Sequence, residues 1–132
     1  MIRVSAVPFI GPQHTGFRLL GADMNSTSDQ QFVKLGKFSV YRINTVLVTN
    51  ASISLTTAVG GIYPAASKAG TALVANSQVY SSLSAATVIL NATIAGAGTT
   101  TRFTAMDWFL SLTTPQGAAA TADFYISVTV FA

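Results

Sequence analysis

The chain has 132 residues, enough for one domain with one core. Half of them are hydrophobic and only 8% are charged, against about 25% in an ordinary soluble domain, which excludes a disordered chain and leaves few charges to keep a surface wet. Seven Lys and Arg against four Asp give a formal charge of +3, and there is no cysteine, so disulfides, thiolate nucleophiles and Cys-ligated zinc are excluded.

Residues 1–16 read as an extended arm. Ile2, Val4, Val7, Phe9 and Ile10 are apolar, but Pro8, Gly11 and Pro12 prevent a helix and disfavour a central strand. The segment is also too broken for a signal peptide, and nothing in the chain approaches the run of about 18 apolar residues that spans a membrane. Such an arm has to lie on another surface, where burying Phe9 alone contributes roughly 1.5–3 kcal/mol. Ile2, Val4, Val7, Phe9 and Ile10 are therefore the expected contacts to a neighbouring subunit or to a larger shell.

The domain is expected over 17–132. Residues 17–20 open a first strand, 25–29 are a turn by composition, and 31–35 are a short strand closed by Gly36. The clearest early strand runs from Val40 to Thr49. It places apolar residues on both parities, Val40, Val46 and Val48 against Tyr41, Ile43 and Leu47, which predicts a strand covered on both faces. Gly60-Gly61 reads as a turn into a short strand stopped by Pro64, and residues 67–70 as a hairpin loop leading into 71–74. Residues 75–86 are open between a loop and a helical turn at 77–83. Residues 87–94 form a strand of β-branched character, followed by a Gly, Ala and Thr loop at 95–101. Residues 107–113 form a strand with Trp108, Leu110 and Leu112 on one parity. The last strand, 123–131, alternates Phe124, Ile126, Val128 and Val130 with Tyr125, Ser127 and Thr129. Strands at this spacing, without a long helical period, predict an all-β antiparallel sandwich, either jelly-roll-like or immunoglobulin-like.

The chemistry-bearing residues do not assemble into a motif. His14 is the only histidine, and it lies in the arm. Asp23 and Asp29 flank a Ser and Thr loop, where side-chain-capped turns explain them, while Asp107 and Asp123 head strands. No ligand cluster for a metal and no spaced nucleophile and base emerge, so neither catalysis nor a cofactor is expected. A glycosidase would need two of these carboxylates facing one cleft. Gly60-Gly61 followed by Lys68 lacks the glycine before the lysine and the helix that a phosphate loop requires. Arg3, Arg18, Lys34, Lys37, Arg42, Lys68 and Arg102 form no run, which argues against nucleic acid as a partner. Lys34, Lys37 and Arg42 read as charged guards of an edge strand. The sequons at Asn25, Asn50 and Asn91 match by chance in a chain rich in Ser and Thr. Trp108, Tyr63 and Tyr80 are the candidates for a sugar-stacking platform, with core packing favoured for Trp108.

At Val48-Thr49-Asn50-Ala51-Ser52, at Gly60-Gly61-Ile62-Tyr63-Pro64-Ala65-Ala66-Ser67-Lys68-Ala69-Gly70, and on to Gln78-Val79-Tyr80, the chain resembles small virion proteins of tailed bacteriophages. Leu110-Ser111-Leu112-Thr113-Thr114-Pro115-Gln116-Gly117-Ala118-Ala119-Ala120-Thr121-Ala122-Asp123 looks like the same group, so that the resemblance covers roughly residues 43–130 and stops short of the arm. Some proteins of this group are head decoration, or cement, proteins. The resemblance implies a β-rich homotrimer on the outer surface of the capsid, bound to a major capsid protein of the HK97-type fold, with neither enzyme activity nor a membrane or nucleic-acid partner. The alternative is a β-sandwich of the tail or fibre that binds host glycan, and a small hydrolase is the third reading.

Overall fold

A computed structural model of the chain describes residues 15–84 and 89–131. Residues 2–10, which hold the expected arm contacts Ile2, Val4, Val7, Phe9 and Ile10, lie outside the described residues, as does His14. The described residues form eight strands in two antiparallel sheets: β1 (Gly16–Asp23), β2 (Gln30–Gln31), β3 (Val33–Leu35), β4 (Val40–Thr49), β5 (Val59–Tyr63), β6 (Ile89–Asn91), β7 (Phe109–Thr114) and β8 (Thr121–Phe131). The larger sheet has the order β3-β1-β8-β4-β6 and the smaller the order β2-β7-β5. Val79 and Val74 extend the smaller sheet beyond β5 by bridges to Val59 and Ile62, and Ile94 bridges Val74 in turn. The first strand of the domain thus pairs with its last, and the chain crosses between sheets at nearly every connection. The architecture is the expected antiparallel β-sandwich.

The two long strands at the centre of the larger sheet carry the core. Phe124, Ile126 and Val128 on β8 are buried, as their alternation predicts, and Trp108, Leu110 and Leu112 answer them from the opposite sheet. β4 departs from its sequence pattern. A register shift between Ile43 and Thr45 inserts Asn44 as a bulge, and a bulge moves every later side chain to the other face. Tyr41 and Ile43 before it, and Val46 and Val48 after it, consequently all point into the core. The expected strand covered on both faces is instead a strand with one buried face and a change of parity at its middle.

The segment expected as one strand at 31–35 is two pieces, one in each sheet. β2 joins β7 and β3 joins β1, and the chain passes between the layers at Phe32, which is buried against Phe124 at 6.2 Å between ring centroids. Gly60 and Gly61 do not make a turn; they lie within β5. A Cβ on Gly60 would stand 2.4 Å from Leu112 Cα, and one on Gly61 would stand 2.3 Å from the Val74 carbonyl oxygen, so these glycines permit the close approach of neighbouring backbones. Residues 77–83 are turn and loop with no helix. Of the strand expected at 87–94, the described part is β6 and the bridge at Ile94. Lys34 does sit on an edge strand, β3, but Lys37 lies in the loop after it and Arg42 projects from central β4.

Candidate interaction surfaces

The four aspartates each serve a local hydrogen bond. Asp23 Oδ1 accepts from the Asn25 N–H at 2.9 Å and caps its own turn. Asp107 Oδ1 accepts from Gln31 Nε2 at 2.9 Å and ties the entry of β7 to β2. Asp123 accepts from the Gly21 N–H at 2.7 Å and from Asn50 Nδ2 at 3.1 Å, which holds the β1 bulge and the turn after β4 on either side of β8. Asp29 Oδ2 accepts from the Ser67 N–H at 2.8 Å, in a turn where Ser67 and Lys68 have positive φ of 61° and 57°. That bond, contact with the buried Ser111 hydroxyl and the nearby charge of Lys68 hold the Asp29 carboxyl below the usual range. The Ser111 hydroxyl lies against Asp29 without the geometry of a full hydrogen bond. Among the described residues no group of three or more His, Cys, Asp or Glu side chains is placed to hold a metal ion.

The aromatic candidates are enclosed. Trp108 and Tyr80 are fully buried and Tyr63 nearly so, so none of them offers a face for a sugar to stack on. Trp108 Nε1 donates to the Tyr41 hydroxyl at 2.8 Å, and that hydroxyl donates to the Ala105 carbonyl. Tyr80 Oη donates to the Gly60 carbonyl at 3.0 Å. Burial pushes the Tyr41 phenol up to about 12, against a smaller opposing effect of the Trp108 bond, and burial raises that of Tyr80 as well. These groups satisfy core polarity and do not titrate near neutrality.

Two surfaces remain. The first is the outer face of the larger sheet. Cross-strand register sets Val33, Arg18, Tyr125, Leu47 and Asn91 in one row across all five strands, and Asp123, Thr49 and Ile89 in the next. Val33 is 58% exposed, Ile89 55%, and Leu20, at the β1 bulge, 52%. Apolar residues thus stand at both edges of this face and at its centre, with Arg18, Asp23, Arg42 and Asp123 the charges among them.

The second is a hollow of about 650 Å³ between the segment 71–73 and the loop 95–98, closed by Thr101 and Phe103. A smaller hollow of about 300 Å³ shares Ala95 with it and is lined on its far side by Val79, which is 53% exposed. The walls are held by backbone bonds from Ala95 N–H to the Leu73 carbonyl at 2.8 Å and from Gly98 N–H to the Ala95 carbonyl at 3.1 Å. Gly98 is buried, and a Cβ there would meet Ile94 Cγ2 at 2.4 Å. Phe103 stacks on Tyr41 at 6.0 Å between centroids and meets Trp108 edge-on at 5.5 Å, so the ring that ends the trough is fixed by the core behind it. No charged side chain lines either hollow. Sequence reasoning passed over this trough because a run of Ala, Gly and Thr reads as a loop. The signal that marks it is small residues next to a single aromatic, Phe103, which a polar surface loop does not need.

No protein-family model, curated protein or solved structure matches the chain.

Proposed function

We propose that the chain is a structural virion protein, a head decoration protein that binds the outer surface of a bacteriophage capsid across capsomer junctions and stabilises the shell. The observation that carries this reading is the apolar outer face of the larger sheet, with Leu20, Val33 and Ile89 exposed on a chain that has few charges to solvate it. The resemblance to small virion proteins of tailed bacteriophages, noted above, gives that face its class of partner, a major capsid protein of the HK97-type fold. We read the strand order, with β1 beside β8 and β2 beside β7, as that of a jelly roll; it serves viral shell proteins and lectins alike, so the fold by itself does not choose between decoration and glycan binding. The enclosure of Trp108, Tyr80 and Tyr63 weighs against the glycan.

In this reading the four carboxylates are turn and strand fasteners and the protein catalyses no reaction. The subunit is a homotrimer, and the apolar arm residues Ile2, Val4, Val7, Phe9 and Ile10 contact a neighbouring subunit or the shell. A standard-sized interface removes about 800 Å² per partner from water, and one that covers Val33, Tyr125, Leu47 and Ile89 spans the sheet from edge to edge. Multi-angle light scattering on the purified full-length chain at micromolar concentration tests the oligomer. A mass of three chains is expected, and a monomer across that range contradicts it.

A further inference from the structure

We propose that the trough between 71–79 and 93–103 is a receptor for the apolar arm of a second copy of this chain, with Phe9 and Ile10 seated against Leu73 and Phe103. The inference rests on the reading that the chain assembles with itself, and it assigns that assembly a specific contact.

The chemistry of the two parts is complementary. The trough is lined by small and apolar residues and by the ring of Phe103, without a charged side chain. Between positions 2 and 10 the arm carries the large apolar residues Ile2, Val4, Val7, Phe9 and Ile10 and one charged side chain, Arg3. Its prolines remove backbone donors at Pro8 and Pro12, so an extended arm brings fewer N–H groups that a dry apolar trough would leave unsatisfied. The volume of about 650 Å³, with about 300 Å³ more beside it at Ala95, suits a short extended segment with one large side chain at its head.

The proposed self-assembly selects a second copy over the same chain. The arm joins the domain just before Gly16 and Phe17. Phe17 meets Tyr41 at 5.5 Å and Tyr41 meets Phe103 at 6.0 Å, so the trough of the same chain begins two ring contacts from where the arm is anchored. The six residue steps from Phe9 to Thr15 span at most about 20 Å, a reach that admits the trough of the same chain as well as that of a neighbour. Exchange between copies ties this contact to the assembly, and closure within one chain is the competing outcome of the test. Around a closed ring each subunit then gives one arm and receives one, and no trough is left empty.

The absence of cysteine makes the test direct. Phe9→Cys and Ala97→Cys are prepared as separate full-length proteins, one with a mass tag. They are mixed, exchanged and oxidised mildly, and Thr129→Cys on the sheet replaces Ala97→Cys as control. The expected result is a disulfide-linked heterodimer of Phe9→Cys with Ala97→Cys, at least tenfold more abundant than with the control. Ala97→Trp, which fills the trough from an exposed position, is expected to weaken subunit association by tenfold or more. If the double variant closes within one chain and the mixed singles do not link, exchange between copies is overturned. If no link forms while light scattering under reducing conditions still gives an oligomer, the trough is not the receptor and the assembly reading stands. If the reduced proteins and the unsubstituted chain are monomers, the assembly reading fails, and the exchange with it.

Discussion

Asp29 illustrates how the polar residues of this chain are spent. Its carboxylate accepts from the Ser67 N–H at 2.8 Å and lies near Lys68, at a turn where Ser67 and Lys68 both hold positive φ. Positive φ is unfavourable for side-chain-bearing residues, and the bond to Asp29 helps to hold the turn against that cost. The bond from the Ser67 N–H holds the folded-state pKa of Asp29 below the ordinary aspartate value. Its contribution is therefore present above the unfolded value and lost as pH falls through the folded one. Asp29→Asn is expected to lower stability at neutral pH by no more than about 1 kcal/mol, because the site is exposed and screened. Thermal melts of the two proteins should converge as pH drops through and below the carboxylate range. A difference in melting temperature independent of pH would contradict the electrostatic account. Gln116 does comparable work without a charge: its Oε1 accepts from the Thr57 and Ala58 N–H groups at 3.0 and 3.1 Å, and its Nε2 donates to Thr56 Oγ1 at 3.1 Å. Neither partnership is visible in sequence, since Asp29 and Ser67 are 38 positions apart and Gln116 and Ala58 are 58 apart.

The strands were legible where one periodicity ran unbroken and illegible where a single residue interrupted it. β8 alternates without a register shift against β4 over Thr45 to Thr49, and its buried set is the one its sequence indicates except at Val130, near the strand's end, which is 40% exposed. β4 carries the same information until Asn44, whose insertion converts an apparent two-faced pattern into a one-faced one. A bulge leaves no mark on composition, and Asn44 reads as an ordinary polar position; its Nδ2 donates to Thr129 Oγ1 at 2.9 Å on the solvent side. β5 posed the opposite difficulty. Two adjacent glycines are the common signature of a turn, yet here they bring β5 against Leu112 on one side and the Val74 segment on the other. Gly61→Ala is expected to destabilise the domain by about 1–3 kcal/mol, because the added Cβ meets backbone atoms of Val74 and Ala75 that cannot rotate away. Urea unfolding measures it, and an unchanged midpoint would show that the Val74 segment yields without cost.

At the scale of the whole molecule, the sandwich class follows from strand spacing, while its strand order needed the pairing of β1 with β8 and of β2 with β7. The two candidate surfaces differ in the same way. An apolar excess can be counted in the sequence, but its placement cannot: Val33, Tyr125, Leu47 and Ile89 come from four separate strands, and the trough is closed by residues up to 32 positions apart, from Thr71 to Phe103. Both surfaces are apolar, rigidly backed and short of charge, properties that favour burial in an assembly over exposure to solvent. The most direct measurement is co-sedimentation of the full-length protein with undecorated bacteriophage capsid shells of the HK97-type fold. The account predicts saturable pelleting at a fixed ratio of decoration subunits to capsid subunits, in multiples of three per capsomer junction. Protein that remains in the supernatant at tens of micromolar, with intact shells in the pellet, would contradict it.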